Sequence, residues 1–313
     1  MAAVMEPQAS PGKWSRRRVL LWGAVAWGVV VAGLAVWAVG HDPATVPEQR
    51  TIGESLPTFR AAVGEVYAAA GGPGRAVVLG GLQVQSGCRV TPVRHGVALS
   101  RDVTVYVRAG EQHGDIDAIA GALPAGYKTQ VTSGRGGTQF ALHADAGNFI
   151  GVDLDADVGD AALTVRVSSG CRPVGDAGVD RADPGVGAAA PGALQVVLTL
   201  LGAPGAASAG GVSSDGPGGI PSENPGGGPG GASSRTGGVT TQAVSCPRGG
   251  TAGTWSVGGL KAPPDWRKRL ASVASGSAVV RSDPTRWAYR AGGDSVVVVD
   301  DGTGLRVSVS TAC

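Results

Sequence analysis

Charge, histidine and lysine are scarce in this chain, and each shortage removes a class of function. Charged residues make up 16% of the 313 residues, against about 25% in an average soluble protein. The net charge of +2 is too small to argue for a nucleic-acid partner, which needs a clustered basic surface. No arginine run outside the N-terminus supplies one. Lysine occurs 4 times against 22 arginines, while alanine, glycine and valine dominate, a bias that looks like a GC-rich bacterial genome.

Only His41, His95, His113 and His143 are available as histidine acid–base groups. No G-x-S-x-G elbow accompanies them. Zinc chemistry lacks its usual ligand spacing, because neither C-x-x-C nor C-x-x-H occurs. These absences leave no cofactor expected and the enzyme question open, leaning against catalysis.

What is present is a repeated ending. Residues 161–171 read Ala-Ala-Leu-Thr-Val-Arg-Val-Ser-Ser-Gly-Cys, and residues 303–313 read Thr-Gly-Leu-Arg-Val-Ser-Val-Ser-Thr-Ala-Cys. With the cysteines in register, Leu163, Val165 and Val167 fall on Leu305, Val307 and Val309. Each copy also has an earlier cysteine, Cys88 or Cys246. The pattern predicts an internal duplication. Four cysteines allow three pairings, and the duplication selects Cys88–Cys171 and Cys246–Cys313.

Residues 19–40 carry no charged side chain, and about 20 apolar residues suffice to span a bilayer as a helix. Lys13, Arg16, Arg17 and Arg18 precede the run, which places the N-terminus in the cytoplasm and the rest outside. A cleaved signal peptide is the competing reading: Ser15-Arg16-Arg17-Arg18-Val19-Leu20 resembles a twin-arginine export motif, and Val36-Trp37-Ala38 a poor cleavage site. The run exceeds the usual apolar core of about 7–15 residues in a signal peptide, so an uncleaved anchor is expected. Either way the remainder is exported, into a compartment where disulfides persist. Ala24, Gly28 and Ala32 repeat every fourth residue, a small-residue face that would suit a homodimer through the membrane helix.

The expected fold is α+β: a single transmembrane helix followed by two diverged α+β repeats, each closed by one disulfide. The divisions are a cytoplasmic tail 1–18, transmembrane helix 19–40, stalk 41–53, first repeat 54–173, linker 174–191 and second repeat 192–313. Within the second repeat, residues 205–238 are rich in glycine, serine and proline and are expected to be a disordered insert.

Helices are expected over 54–70, capped by Ser55 with Pro57 in the first turn, over 115–123 and, in the second repeat, over 193–201 and 265–273. Residues 75–85 read as one buried strand leading to Cys88. Further strands are expected at 102–108, 128–132, 139–143, 149–154 and 163–167, then 254–260, 295–299 and 305–309.

Asp153, Asp155 and Asp157 alternate, with Asp160 nearby. The spacing misses a calcium loop, which needs a glycine at its sixth position and a glutamate at its twelfth, and reads as a polar hairpin tip. Residues 121–129 are a near miss for a phosphate-binding loop, since Tyr127 separates Gly126 from Lys128 and the expected helix precedes the loop. That stretch, with Val152-Asp153-Leu154, resembles the GerMN-type domain of bacterial envelope and spore proteins; the second repeat lacks both pieces, so no function is carried over.

The reading that emerges is a membrane-anchored extracytoplasmic protein, a non-catalytic binding or scaffolding module of a bacterial cell envelope with an envelope protein or glycan as partner. The alternatives are an extracytoplasmic cell-wall hydrolase using carboxylates such as Asp153 and Asp283, and a secreted soluble protein. The first two differ in geometry: a pocket gathering His143 and Asp153 favours the enzyme, filled cores and featureless clefts favour binding.

Overall fold

The computed structural model describes residues 13–41, 50–175, 178–184, 189–207, 238–274 and 278–313. Most of the expected tail, stalk and insert (1–12, 42–49 and 208–237) lies outside these. At the start of the expected insert, residues 205–207 belong to the 3-10 turn Pro204–Ala207. The chain divides into two units, Met1–Thr45 and Val46–Cys313.

The first unit contains α1 (Lys13–His41), 29 residues and so about 43 Å long at 1.5 Å per residue. Its span Arg18–Trp37 is long and apolar enough to cross a membrane. The apolar residues run around the whole helix, and Trp22, Trp27 and Trp37 are all largely exposed. A helix apolar on every side suits a uniformly apolar surrounding and not a single buried stripe.

The second unit is α+β with two antiparallel sheets. It begins with α2 (Ile52–Ala70), capped by Thr51 in a reciprocal capping box with Glu54. Ser55 is not the cap: it lies inside the first turn, where its hydroxyl donates to the Ile52 carbonyl at 2.9 Å. The expected strand over 75–85 is two strands, β1 (Ala76–Leu79) and β2 (Gln83–Thr91), separated by Gly80-Gly81-Leu82. Both pair with one long partner, β3 (Arg94–Tyr106). Then come α3 (Gln112–Ala122), β4 (Gln130–Gly134), β5 (Gln139–Asp145), β6 (Gly151–Asp157) and β7 (Ala162–Arg172). The first sheet runs β1-β3-β7-β6-β5-β4, with β2 also on β3.

The C-terminal half repeats the pattern with α4 (Gly192–Leu200), β8 (Val239–Ser245), β9 (Thr251–Leu260), α5 (Trp266–Val273), β10 (Ala278–Asp283), β11 (Arg286–Ala291), β12 (Asp294–Asp300) and β13 (Leu305–Ser310). Its sheet runs β8-β9-β13-β12-β11-β10. That is the order β2-β3-β7-β6-β5-β4 element for element; β1 is the extra strand.

Strict alternation along the strands builds two cores. Val103 and Val105 of β3, Leu163, Val165 and Val167 of β7, and Val152 and Leu154 of β6 pack under Phe59, Val63 and Val66 of α2 and Ile116 and Ile119 of α3. Val296 and Val298 of β12 and Val307 and Val309 of β13, with Trp255, Trp287 and Tyr289, pack under Leu194, Val197 and Leu198 of α4 and Leu270 of α5. The disulfides join Cys88 to Cys171 and Cys246 to Cys313, 83 and 67 residues apart. Loops of that size give about 4 kcal/mol each in the chain-entropy account.

A third cluster joins the halves. β1 lies against β9, β11, β12 and β13, with Ala76 packed among Val280, Ala288 and Val297. Being an edge strand, β1 has backbone donors that β3 does not use. The Val77 N–H donates to Ser295 Oγ and the Leu79 N–H to Thr254 Oγ1, both at 3.0 Å. Nearby, the Tyr67 hydroxyl donates to the Thr311 carbonyl at 2.6 Å. α2 approaches β8 so closely that a Cβ on Gly64 would meet the Ser245 carbonyl oxygen at 2.3 Å.

Arg101 draws these pieces together. Its guanidinium makes a bidentate pair with Asp183 at 2.9 and 2.8 Å and donates to the Gly80 and Ala243 carbonyls and to Gln242. Asp183 also accepts from the Ala243 N–H.

Two outcomes follow. Asp183→Ala leaves a buried guanidinium without its carboxylate, so a loss of about 3–5 kcal/mol is expected, measured by urea denaturation. Burial pushes the Tyr67 and Tyr289 phenols up to about 12. A pKa raised in the folded state means that their contribution is whole below about pH 10 and is lost as pH rises from about 10 to 12. The denaturation midpoint should therefore fall over that window, and Tyr67→Phe should flatten the fall.

Candidate functional site

The helices cover one face of the first sheet, so the alternate residues of β3, β7, β6 and β5 form an outer face with no described helix on it. Cross-strand register sets one row across it. His143 of β5 stands opposite Asp153 of β6, Asp153 opposite Arg166 of β7, and Arg166 opposite Asp102 of β3. Directly opposed side chains in a sheet sit close enough to pair. His143 Nδ1 lies 2.6 Å from Asp153 Oδ1, and Arg166 forms a two-pronged pair with Asp102 at 2.8 and 3.0 Å. Hydrogen bonds donated to Asp102, and then its charge, hold the Arg166 guanidinium pKa above its ordinary value.

This is an exposed surface and not a pocket. The His143 side chain is 68% exposed and Asp153 49%. Such a histidine–carboxylate contact shares two elements with a catalytic relay, but both side chains lie open to solvent. Catalytic electrostatics work best where water is excluded, and here water reaches both groups.

The aspartate run is also placed differently from the expectation. Asp153, Asp155 and Asp157 belong to β6 itself and not to a hairpin tip, so their side chains share the outer face at every second residue. Asp160, in the turn beyond, accepts from the Asp157 N–H. Among the described residues, no three His, Cys, Asp or Glu side chains gather as a metal-binding group.

The other candidates are scattered. His41 ends α1, and His95 stands near the β2–β3 hairpin tip. His113 of α3 packs its ring against Phe140, centroids 4.7 Å apart, and lies 3.7 Å from Asp117. Asp283 ends β10, where it pairs with Arg281 and Arg286; it is on the other sheet from Asp153. Residues 121–129 close α3 and pass through the 3-10 turn Ala125–Tyr127, with the helix before the loop.

Sequence reasoning missed the buried charges. Arg172, in the residue after Cys171, is fully buried and donates to the Ser169, Asn148 and Phe149 carbonyls. Burial, with Arg50 nearby, lowers its pKa. Asn148 and Phe149 both have positive φ, at 52° and 57°, an uncommon conformation for such side chains. Arg172 braces that turn. Arg75 pairs loosely with Asp115 at 3.8 Å, and burial raises the Asp115 carboxyl. A shallow cleft of about 550 Å³ lies where Pro73, Gly74 and Arg108 meet Ala278, Arg290 and Gly292. Arg108 and Arg290 line it, but Arg290 is committed to Ser295 and the Gly293 carbonyl.

No family model matches the chain, and no curated protein matches it. Among solved structures it is similar to a DUF4853 family protein from Actinomyces odontolyticus, with 18% identity over 44% of this chain and 77% of that one and a TM-score of 0.31. The overlap is too loose to define a shared fold.

The surface character of the row has a measurable consequence. A double-mutant cycle of Arg166→Met with Asp102→Asn should give a coupling of about 0.2–1 kcal/mol, as for other exposed ion pairs. His143→Ala should change stability by no more than about 0.5 kcal/mol; urea denaturation reads both.

Proposed function

We propose that the chain is a single-pass membrane protein of a bacterial cell envelope, with its N-terminus cytoplasmic and its two-sheet unit outside, acting as a non-catalytic binding or scaffolding module. The observation that carries the reading is the nature of the outer face of the first sheet: polar, broad and solvent-open, in a unit whose apolar interiors are filled. A protein module presents such a face to a partner protein or glycan, whereas a hydrolase encloses its carboxylates.

The anchor reading is supported by the apolar run of α1, residues 19–40, which is preceded in sequence by Lys13, Arg16, Arg17 and Arg18. The external placement is supported by two disulfides and no free cysteine, which fits an oxidising compartment. We read the two halves as diverged repeats. The shared strand order of the two sheets and the equivalent positions of the disulfides support this. Ala24, Gly28 and Ala32 share an exposed face of α1, where an added Cβ on Gly28 would meet nothing within 4 Å; we read it as a self-association face.

Two measurements test the anchor. A C-terminal reporter that is active only outside the cytoplasm should be active on the full chain, and the chain should stay with membranes through alkaline extraction. Cytoplasmic reporter activity would overturn the topology. A mature N-terminus near residue 39 would replace the anchor with a secreted form. In-cell crosslinking from the outer unit should capture a specific envelope partner, and its failure from every tested surface would remove the scaffolding role.

A further inference from the structure

The two sheets share a strand order, but the non-helical face of the first is covered at its β1 end, where Ala76, Val78 and Tyr106 meet the second sheet, and the row of His143, Asp153 and Arg166 is left open. On the second sheet that face carries β1, which lies over β9, β13, β12 and β11. β1 is received by side-chain hydroxyls: Thr254 and Ser295 accept its free N–H groups, and Thr254 is held by Ser310 at 2.7 Å. The molecule therefore contains one worked example of this face binding an extended strand.

Register carries that example onto the first sheet. Setting Cys171 over Cys313 places Ser168 on Ser310. Pairing across the ladders then places Ser100 on Thr254, Gly151 on Ser295, Asp153 on Val297 and His143 on Ala288. The hydroxyls at the Thr254 and Ser310 positions are thus kept, as Ser100 and Ser168. The apolar residues that receive Ala76 are replaced by Asp153 and His143. Asp145 and Asp155 flank the row, and among the described residues neither has an ion-pair partner within 4.0 Å. Arg166 is already committed to Asp102.

From this we propose that the open face of β3, β7, β6 and β5 is a docking surface for an extended, lysine- or arginine-bearing segment of a partner protein. The segment lies across the strands as β1 does on the second sheet. A backbone N–H of the segment meets Ser100, the counterpart of Thr254, with Ser168 beside it as Ser310 is beside Thr254. Gly151 offers no hydroxyl in place of Ser295, and the cationic side chains, which meet Asp145, Asp153 and Asp155, supply the rest of the binding. β1 itself cannot be the occupant, because its free edge is held by Thr254 and Ser295, so the β1 of a second copy does not supply it. The inference rests on the binding-module reading and names its partner class.

The test uses the full chain in lipid nanodiscs and two fluorescent peptides, one alternating lysine with valine and its glutamate–valine twin, read by anisotropy. The lysine peptide should bind and the glutamate twin should bind about tenfold more weakly or not at all, with affinity falling as salt rises. Asp155→Lys combined with Thr164→Arg should weaken the lysine peptide about tenfold. Thr164 stands at the position of Arg306 in the second sheet, so an arginine there is compatible with the strand. Asp117→Lys, on α3 beyond the opposite face, should leave binding unchanged.

Equal binding of the two peptides, or sensitivity to Asp117→Lys and not to the face variant, would overturn the proposal. Should the face variant misfold, a photo-crosslinker at Ala141 gives the independent readout, with the lysine peptide expected to attach there. In cells, a partner captured from another surface but not from Ala141 overturns this inference and leaves the binding-module reading standing.

Discussion

Arg101 is the interaction on which the second unit depends. It projects from a strand of the first sheet, yet its acceptors belong to the turn after β1 (Gly80), to the segment between the halves (Asp183) and to β8 of the second sheet (Gln242 and Ala243). One guanidinium thereby fixes where β1 ends, where the connecting chain runs and how the second sheet meets α2. A planar group with donors in a rigid fork can do this where a lysine ammonium cannot. The burial cost of such a charge is met only when most of its donors are paired, and here five acceptor atoms surround it.

The polar side of the second sheet complements this hub. Sheets leave donors unsatisfied at their edges, and proteins cover or pair those edges. β1 solves the problem by standing on the face of another sheet, where Ser295 and Thr254 take the place of a neighbouring strand. The serine and threonine residues of β9, β12 and β13 are thus buried polar groups with a structural task. The same positions in the first sheet face water. Two sheets of one topology thereby differ in what their free faces do: one is an internal seat and the other an external surface.

Much of this architecture is legible in the order of residues. The alternation in β7 and β13, the cysteine spacing and the apolar run of α1 are local patterns, and local patterns carry fold class. The helix cap at Thr51 is masked in the sequence, because Ser55 before Pro57 gives a stronger-looking signal and the Thr51–Glu54 box sits one turn earlier. The break at Gly80-Gly81 was hidden by flanking apolar residues that read as one strand. Aspartates 153, 155 and 157 stand out in the sequence, but their placement on a strand face and not at a turn depends on where β6 ends. Arg101, Asp183 and Tyr67 were not legible at all. The Arg101–Asp183 and Tyr67–Thr311 contacts span 82 and 244 residues, and nothing in a neighbouring sequence marks a residue for a contact at that distance.

The disulfide order has a consequence for synthesis. Cys88 bonds to the next cysteine in the chain, and Cys246 to the one after it. On the proposed topology the chain beyond α1 emerges in sequence order, and Cys88, then Cys171, is outside before either later thiol. An oxidant that joins each newly emerged thiol to the one still waiting therefore makes both native bridges in turn. On that topology, consecutive pairing leaves thiol–disulfide reshuffling no wrong bridge to repair, and an oxidase without an isomerase suffices.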